Sequence, residues 1–115
     1  MSDHEARPVP SVAAERRRLA PAQAEAFKRF SQSVFAEGAL GVKTKQLIAV
    51  AAAHVTQCPY CIRAHTAAAM DQGASPEEIM EAIWVAAEMR AGGAFAHSAL
   101  ALETIAARSN DPRPP

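Results

Sequence analysis

Apolar residues recur along this chain at helical spacing, and no segment of useful length alternates as a strand would. From Pro21 to about Phe35, the residues Ala26, Phe27, Phe30, Val34 and Phe35 form one apolar stripe, and Glu37-Gly38 ends the segment. A second helix is predicted from Thr44, a residue suited to capping, to about Thr56. It is apolar on most sides, which predicts that it is mostly buried. A third covers roughly Pro59 to Asp71, with Gly73 placed to stop it. Ser75-Pro76-Glu77-Glu78 opens the next helix with two start signals. Ser75 and Glu78 have the spacing of a capping box, and Pro76 sits at the first helical position, where its missing N–H costs nothing. That helix carries Ile79, Ile83, Trp84 and Val85 and is expected to reach about Arg90. Gly92-Gly93 is expected to interrupt or kink the run, leaving Phe95 to Arg108 as a final helix. The pattern predicts an all-α fold.

The ends read differently. Residues 1–20 are expected to form a flexible arm, because Pro8 and Pro10 break regular structure and Glu15-Arg16-Arg17-Arg18 is a solvated charge run. Residues 110–115, Asn110 to Pro115, read as a disordered tail. One helical domain, residues 21–109, lies between, and 115 residues are too few for two.

Composition changes the picture in two ways. Of the hydrophobic half of the chain, 28 residues are alanine, so large core side chains are scarce. Alanine favours helices and lets them approach closely, but it buries little area, and association with further copies of the chain is one remedy. A homo-oligomer is therefore expected. Charge is balanced, with 12 Lys+Arg against 12 Asp+Glu, which leaves no basic footprint for nucleic acid. The longest apolar stretch, Leu47 to Val55, is broken by His54 and falls far short of the ~20 residues a membrane-spanning helix needs. The polar start, Met1-Ser2-Asp3-His4-Glu5, has no hydrophobic signal core, and a cytoplasmic location is expected.

One segment is chemically loud: Cys58-Pro59-Tyr60-Cys61-Ile62-Arg63-Ala64-His65. Both cysteines of the chain lie in it. In a cytoplasmic protein such a pair points to redox or metal chemistry rather than to a structural staple. With Cys58 as N-cap and Pro59 at the first position, Cys58, Cys61 and His65 share one face of a helix. A helix N-terminus favours a thiolate, and His65 lies one turn below Cys61, where it can relay a proton. A second thiol one turn away can condense with an oxidised sulfur and protect it. These are the parts of a dithiol peroxidase or disulfide reductase. Three other readings compete: a pair of small buried hydrophobes, a zinc site from His54, Cys58, Cys61 and His65, and a non-catalytic oligomer that senses oxidants or binds a ligand. His54 by itself suits a core or interface position. His97, near Gly92-Gly93, is a candidate to line the site from the last helix.

The wider pattern, Lys43-Thr44-Lys45-Gln46-Leu47-Ile48-Ala49-Val50-Ala51, then Cys58 to His65, then Ala69, Gly73-Ala74-Ser75-Pro76-Glu77-Glu78-Ile79 and Glu81-Ala82, resembles the alkylhydroperoxidase AhpD-like / carboxymuconolactone decarboxylase family. The resemblance spans about residues 40–90. It implies an all-α fold assembled as trimers or hexamers and no bound cofactor or metal. It also implies reduction of organic hydroperoxides or partner disulfides, with a lipoyl-type dithiol restoring the Cys58–Cys61 disulfide to thiols. By the same resemblance, Cys61 is the peroxidatic cysteine, Cys58 its resolving partner and His65 the relay histidine. The decarboxylase branch lacks the cysteine pair. Two positions depart from the family: Gln46 stands where glutamate is common, and Tyr60 where AhpD has histidine. Gln46 cannot take a proton from His65, so the relay is expected to be shortened or supplied by another group, such as Glu37, Glu81, Glu88 or water. Tyr60 can still hydrogen-bond.

Overall fold

The computed structural model describes residues 11–110, and its regular elements are all helices. The first lies where an arm was expected. Residues Val12–Leu19 form α1, capped by Ser11, whose Oγ accepts the Ala14 N–H at 3.1 Å. Arg18 pairs with Glu15 at 3.0 Å, so part of the charge run acts as an i,i+3 support along the helix. Pro8 and Pro10 precede this helix and lie outside the described residues, as does the tail beyond Asn110. Ala20 leaves helical geometry (φ −146°), and Pro21 starts α2, Pro21–Phe35. Together α1 and α2 form one compact unit ending at Gly38, and a second begins at Ala39. The division falls at the Glu37-Gly38 break.

The second unit holds three helices. The first, α3 (Val42–Thr56), starts two residues before the predicted cap, with Gly41 rather than Thr44 at the N-cap position. It is less buried than its composition suggests. Gln46, Val50 and Ala53 are buried, whereas Ile48 and Val55 on other faces are exposed. Gln57 then adopts the left-handed conformation (φ 58°), its N–H bonding back to the Ala53 carbonyl, and turns the chain into α4 (Pro59–Asp71). At the far end of α4, Gly73 is also left-handed (φ 88°). The Gly73 N–H bonds to Met70 and the Ala74 N–H to Ala69, closing the helix as only glycine does without strain. The predicted capping box is present: Ser75 Oγ accepts the Glu78 N–H at 3.1 Å and Glu78 Oε1 accepts the Ser75 N–H at 3.0 Å.

The helix it opens, α5, runs unbroken from Pro76 to Ser109. The expected break at Gly92-Gly93 does not occur. Each glycine costs a helix about 1 kcal/mol, and the alanine-rich flanks, Ala86-Ala87 and Ala94 to Ala101, carry the helix across.

A small core of Val50, Ala69, Ala74 and Ile79, with Leu47 and Ile83 against it, sits where the three helices meet. The central element is α3, which packs extensively on both α4 and α5. Two polar contacts tie α3 to α5. Lys43 Nζ lies 2.8 Å from Glu78 Oε2 near the start of both helices, and Arg90 Nη1 donates to the Val55 carbonyl at 3.0 Å further along. Lys43 and Val55 are separated along α3 by as many residues as Glu78 and Arg90 along α5, so the two helices run parallel and in register. The α3 side facing α4 is thereby fixed, and Gln46 is on it. Among the described residues no strand occurs, and no helix is long and apolar enough to cross a membrane.

Candidate functional site at the start of α4

The turn at Gln57 delivers Cys58 to the N-cap of α4 with extended backbone angles (φ −96°, ψ 106°). The first N–H groups of a helix lack partners within it. Pro59 has none to offer, and the Ile62 N–H reaches the Cys58 carbonyl at 2.9 Å. The Cys61 N–H bonds to the Cys58 Sγ at 3.4 Å, so the sulfur takes the place a serine or aspartate oxygen fills at other helix starts. Both cysteines are free thiols and both are half-buried.

These contacts divide the pair electrostatically. Hydrogen bonds from the Cys61 side chain and the Cys61 backbone N–H, with a smaller one from the Tyr60 N–H, hold the Cys58 thiol below its ordinary value against the opposing effect of burial. The Cys61 thiol is pushed up, chiefly by donating to Cys58, then by burial and by the charge on Cys58. The N-cap contact thus favours charge on the Cys58 sulfur.

His65 follows Cys61 by one turn of α4. Its Nδ1 lies 2.8 Å from Gln46 Oε1, across to α3. Since an amide oxygen only accepts, Nδ1 is the donor of this hydrogen bond. Gln46 is the one buried polar residue of the described chain, 8% exposed. The Gln46 amide itself holds this nitrogen. Gln46 offers no charge to an imidazolium but fixes the ring and its tautomer. Its inward position on the buried stripe of α3 was the available sequence signal for that role.

The remaining candidates fall elsewhere. Tyr60 is 80% exposed, its ring directed to solvent beside the cysteines. His54 is half-buried, and its Nδ1–H donates to the Val50 carbonyl one turn back in α3 at 2.7 Å. His97 is exposed on the far half of α5, and no hydrogen bond or ion pair among the described residues joins it to the cysteines. No three His, Cys, Asp or Glu side chains among the described residues are grouped to hold a metal ion, so His54, Cys58, Cys61 and His65 do not assemble as a zinc site.

A helical hairpin that presents a Cys-x-x-Cys pair at the start of its second helix, backed by a histidine, is the arrangement whose sequence frame was noted above. The chain belongs to the carboxymuconolactone decarboxylase family, whose profile matches residues 21–104. Among individual relatives, it is 62% identical over 81 residues to the uncharacterized protein 4 in the cox locus of Paracoccus denitrificans, covering 70% of this chain and 73% of that one. Its fold matches the crystal structure of a Methanobacterium thermoautotrophicum protein with a TM-score of 0.69 at 37% identity, over 72% of this chain and 93% of that one. It also matches a carboxymuconolactone decarboxylase family protein of Legionella pneumophila (TM-score 0.65, 37% identity, 78% and 80% covered). A third match is a family member from Thermotoga maritima for which a part in the antioxidative response has been suggested (TM-score 0.54, 30% identity, 72% and 95% covered).

Proposed function

We propose that this protein is a thiol-dependent oxidoreductase that reduces hydroperoxides through the Cys58/Cys61 pair and is restored by an external dithiol of the lipoyl type. The observation that carries the reading is the Cys58 sulfur serving as N-cap acceptor for the Cys61 N–H, with the second thiol one turn away. That arrangement stabilises a thiolate and holds its resolving partner one turn away. In the first step a thiolate attacks the distal peroxide oxygen, the O–O bond breaks, and the alkoxide leaves and is protonated. The second thiol then attacks the sulfenic sulfur, water leaves, and the pair ends as a disulfide. Two electrons have moved from the two sulfurs to the peroxide, and an external dithiol returns them by exchange. A partner disulfide is a second acceptor for the same electrons. His65, oriented by Gln46, serves as the proton carrier.

The suggested antioxidative part of the Thermotoga maritima relative agrees with this class of activity. The protein acts in the cytoplasm as a homo-oligomer, a trimer or hexamer in this reading. The apolar side chains exposed on α5, among them Trp84, Phe95, Leu100, Leu102 and Ile105, supply the surface for association.

The test is peroxide consumption by metal-free, reduced protein with a lipoyl-type dithiol as recycling reductant and Cys61→Ser as control. The expected result is turnover well beyond one peroxide per chain, lost in the variant. Consumption of a single equivalent that stops at the disulfide would replace the enzyme with an oxidant sensor.

A further inference from the structure

The turn that delivers Cys58 to α4 is held in an unfavourable shape. Gln57 is left-handed (φ 58°), a region that residues other than glycine rarely enter and keep only where their surroundings fix them. One fixing contact is local. The Ala53 carbonyl takes the N–H of both Gln57 and Cys58, the latter at 3.1 Å, and the Thr56 hydroxyl at 3.4 Å. The Val55 carbonyl has no such partner along the chain. The residue four positions on is Pro59, which has no N–H, and the Cys58 N–H three positions on is already given to Ala53. Arg90 fills the gap from α5, its Nη1 donating to the Val55 carbonyl at 3.0 Å across 35 residues of sequence.

We infer that Arg90 is a positioning residue of the cysteine centre: by clamping the last turn of α3 it keeps the Cys58 sulfur in place under the Cys61 N–H. The inference rests on the dithiol reading above and adds a residue of α5 to its machinery. Arg90 acts through the backbone rather than on a sulfur. With the Val55 carbonyl fixed, Gln57 is held left-handed and the chain enters α4 with Cys58 extended (φ −96°, ψ 106°). A side-chain cap depends on backbone angle first, and the Cys58 Sγ reaches the Cys61 N–H at 3.4 Å only from that conformation. The guanidinium also sets positive charge on the carbonyl end of α3. That end is the negative pole of the helix, and Cys58 lies two residues beyond it, where an uncompensated pole would oppose a thiolate.

The setting of the contact explains why it bears on the site more than on the fold. Arg90 and Val55 are both exposed, so the clamp covers no core, and one exposed hydrogen bond adds little to global stability. What it controls is a turn that lacks glycine and precedes a reactive side chain by one residue. Ile79 and Ile83, packed in the core, hold the first stretch of α5 on α3 and so bring Arg90 to the end of α3. His54 in α3, Arg63 and His65 in α4 and Glu88 in α5 are the charged or titratable side chains nearest the clamp in sequence on each helix. All four are common to every variant below, so a change at the Cys58 thiol reports the turn.

The experiment reads the Cys58 thiol alone, in a Cys61→Ser background that keeps the backbone N–H, by following the rate of iodoacetamide alkylation against pH. Arg90→Met is expected to raise the midpoint of that curve by about half a unit, about a threefold loss of thiolate at neutral pH, with the plateau at high pH unchanged. Arg90→Lys, which keeps the charge and a donor, should reverse at least about half of the shift. Gln57→Gly in the Arg90→Met chain should do the same, because glycine enters the left-handed region freely and the turn no longer needs a clamp. Helical circular dichroism should be equal across the set. A midpoint that Arg90→Met leaves in place, a change confined to the plateau, or a shift that neither Arg90→Lys nor Gln57→Gly reverses overturns the assignment. So does loss of the helical signal in Arg90→Met, which would make Arg90 a residue of the fold. The dithiol reading fails separately, if wild-type protein exposed to peroxide forms no Cys58–Cys61 disulfide whatever the alkylation midpoints.

Discussion

Between Pro76 and Arg90, α5 buries Ile79 and Ala86, leans Ile83 on the core and is tied to α3 through Glu78 and Arg90. From Ala94 to Ser109 the same helix has only exposed residues, Phe95 at 81% among them. The first stretch is positioned by tertiary contact, and the second is helical on the strength of its own alanines, which are the strongest helix formers. Stability within the chain and reactivity at the cysteines should therefore depend on the first stretch and be largely indifferent to the second, whose apolar side chains matter to association.

The largest expected effects fall on the packed side. Replacing either cysteine by serine should reduce multiple-turnover peroxide consumption at least about a hundredfold, with the helical circular dichroism unchanged. A Cys61→Ser chain that turned over at wild-type rate would detach the site from the function. Next in size, Gln46→Ala strands the His65 Nδ1–H in a half-buried place. It should cost about 1–3 kcal/mol in urea unfolding and slow turnover by about tenfold; Gln46→Glu, which adds charge beside the ring, should restore the hydrogen bond and shift the pH–rate profile. Ser75→Ala removes the cap oxygen at the start of α5 and should cost about 1 kcal/mol.

The pH dependence of the same region has a definite sign. Lys43 and the Ser75 N–H hold the Glu78 carboxyl below its ordinary value. Its contribution is present above the ordinary carboxylate range and is lost as pH falls through that range toward the lowered value. Acid titration of Glu78→Gln should lack that part of the loss; because both partners are well exposed, the difference is small. Smallest of all for monomer stability is Leu100→Lys in the far half of α5, expected within about 0.5 kcal/mol of wild type, while the mass measured by sedimentation should fall if that surface joins copies. A large loss of stability on this substitution would erase the contrast between the two stretches.

Much of this was legible in the residues. The caps at Ser75 and Cys58, the stop at Gly73 and the shared face of Cys58, Cys61 and His65 follow from local rules that act over one or two turns. Four features were not. The helix at Val12–Leu19 was hidden because a charge run reads as solvated whether or not it is helical, and the Glu15–Arg18 pair that supports it is visible only once formed. Gly92-Gly93 looked like a break because local propensity marks a cost without saying whether the flanks can meet it. The role of Gln46 depends on an interhelical distance, and sequence gave only its place on an inward stripe. Likewise, spacing alone leaves two sulfurs on one face equivalent, and the direction of the N–H groups is what separates them.

The sulfur at the N-cap carries a thermodynamic consequence as well. Whatever steadies a thiolate in the reduced chain must be surrendered when that sulfur enters a disulfide, because a bonded sulfur is a far weaker acceptor for the Cys61 N–H. Oxidation therefore loosens the opening turn of α4, and the equilibrium leans back toward the dithiol. An oxidised pair would then be the more readily reduced, and the amide hydrogen of Cys61 should exchange with solvent faster in an oxidised chain than in the reduced one.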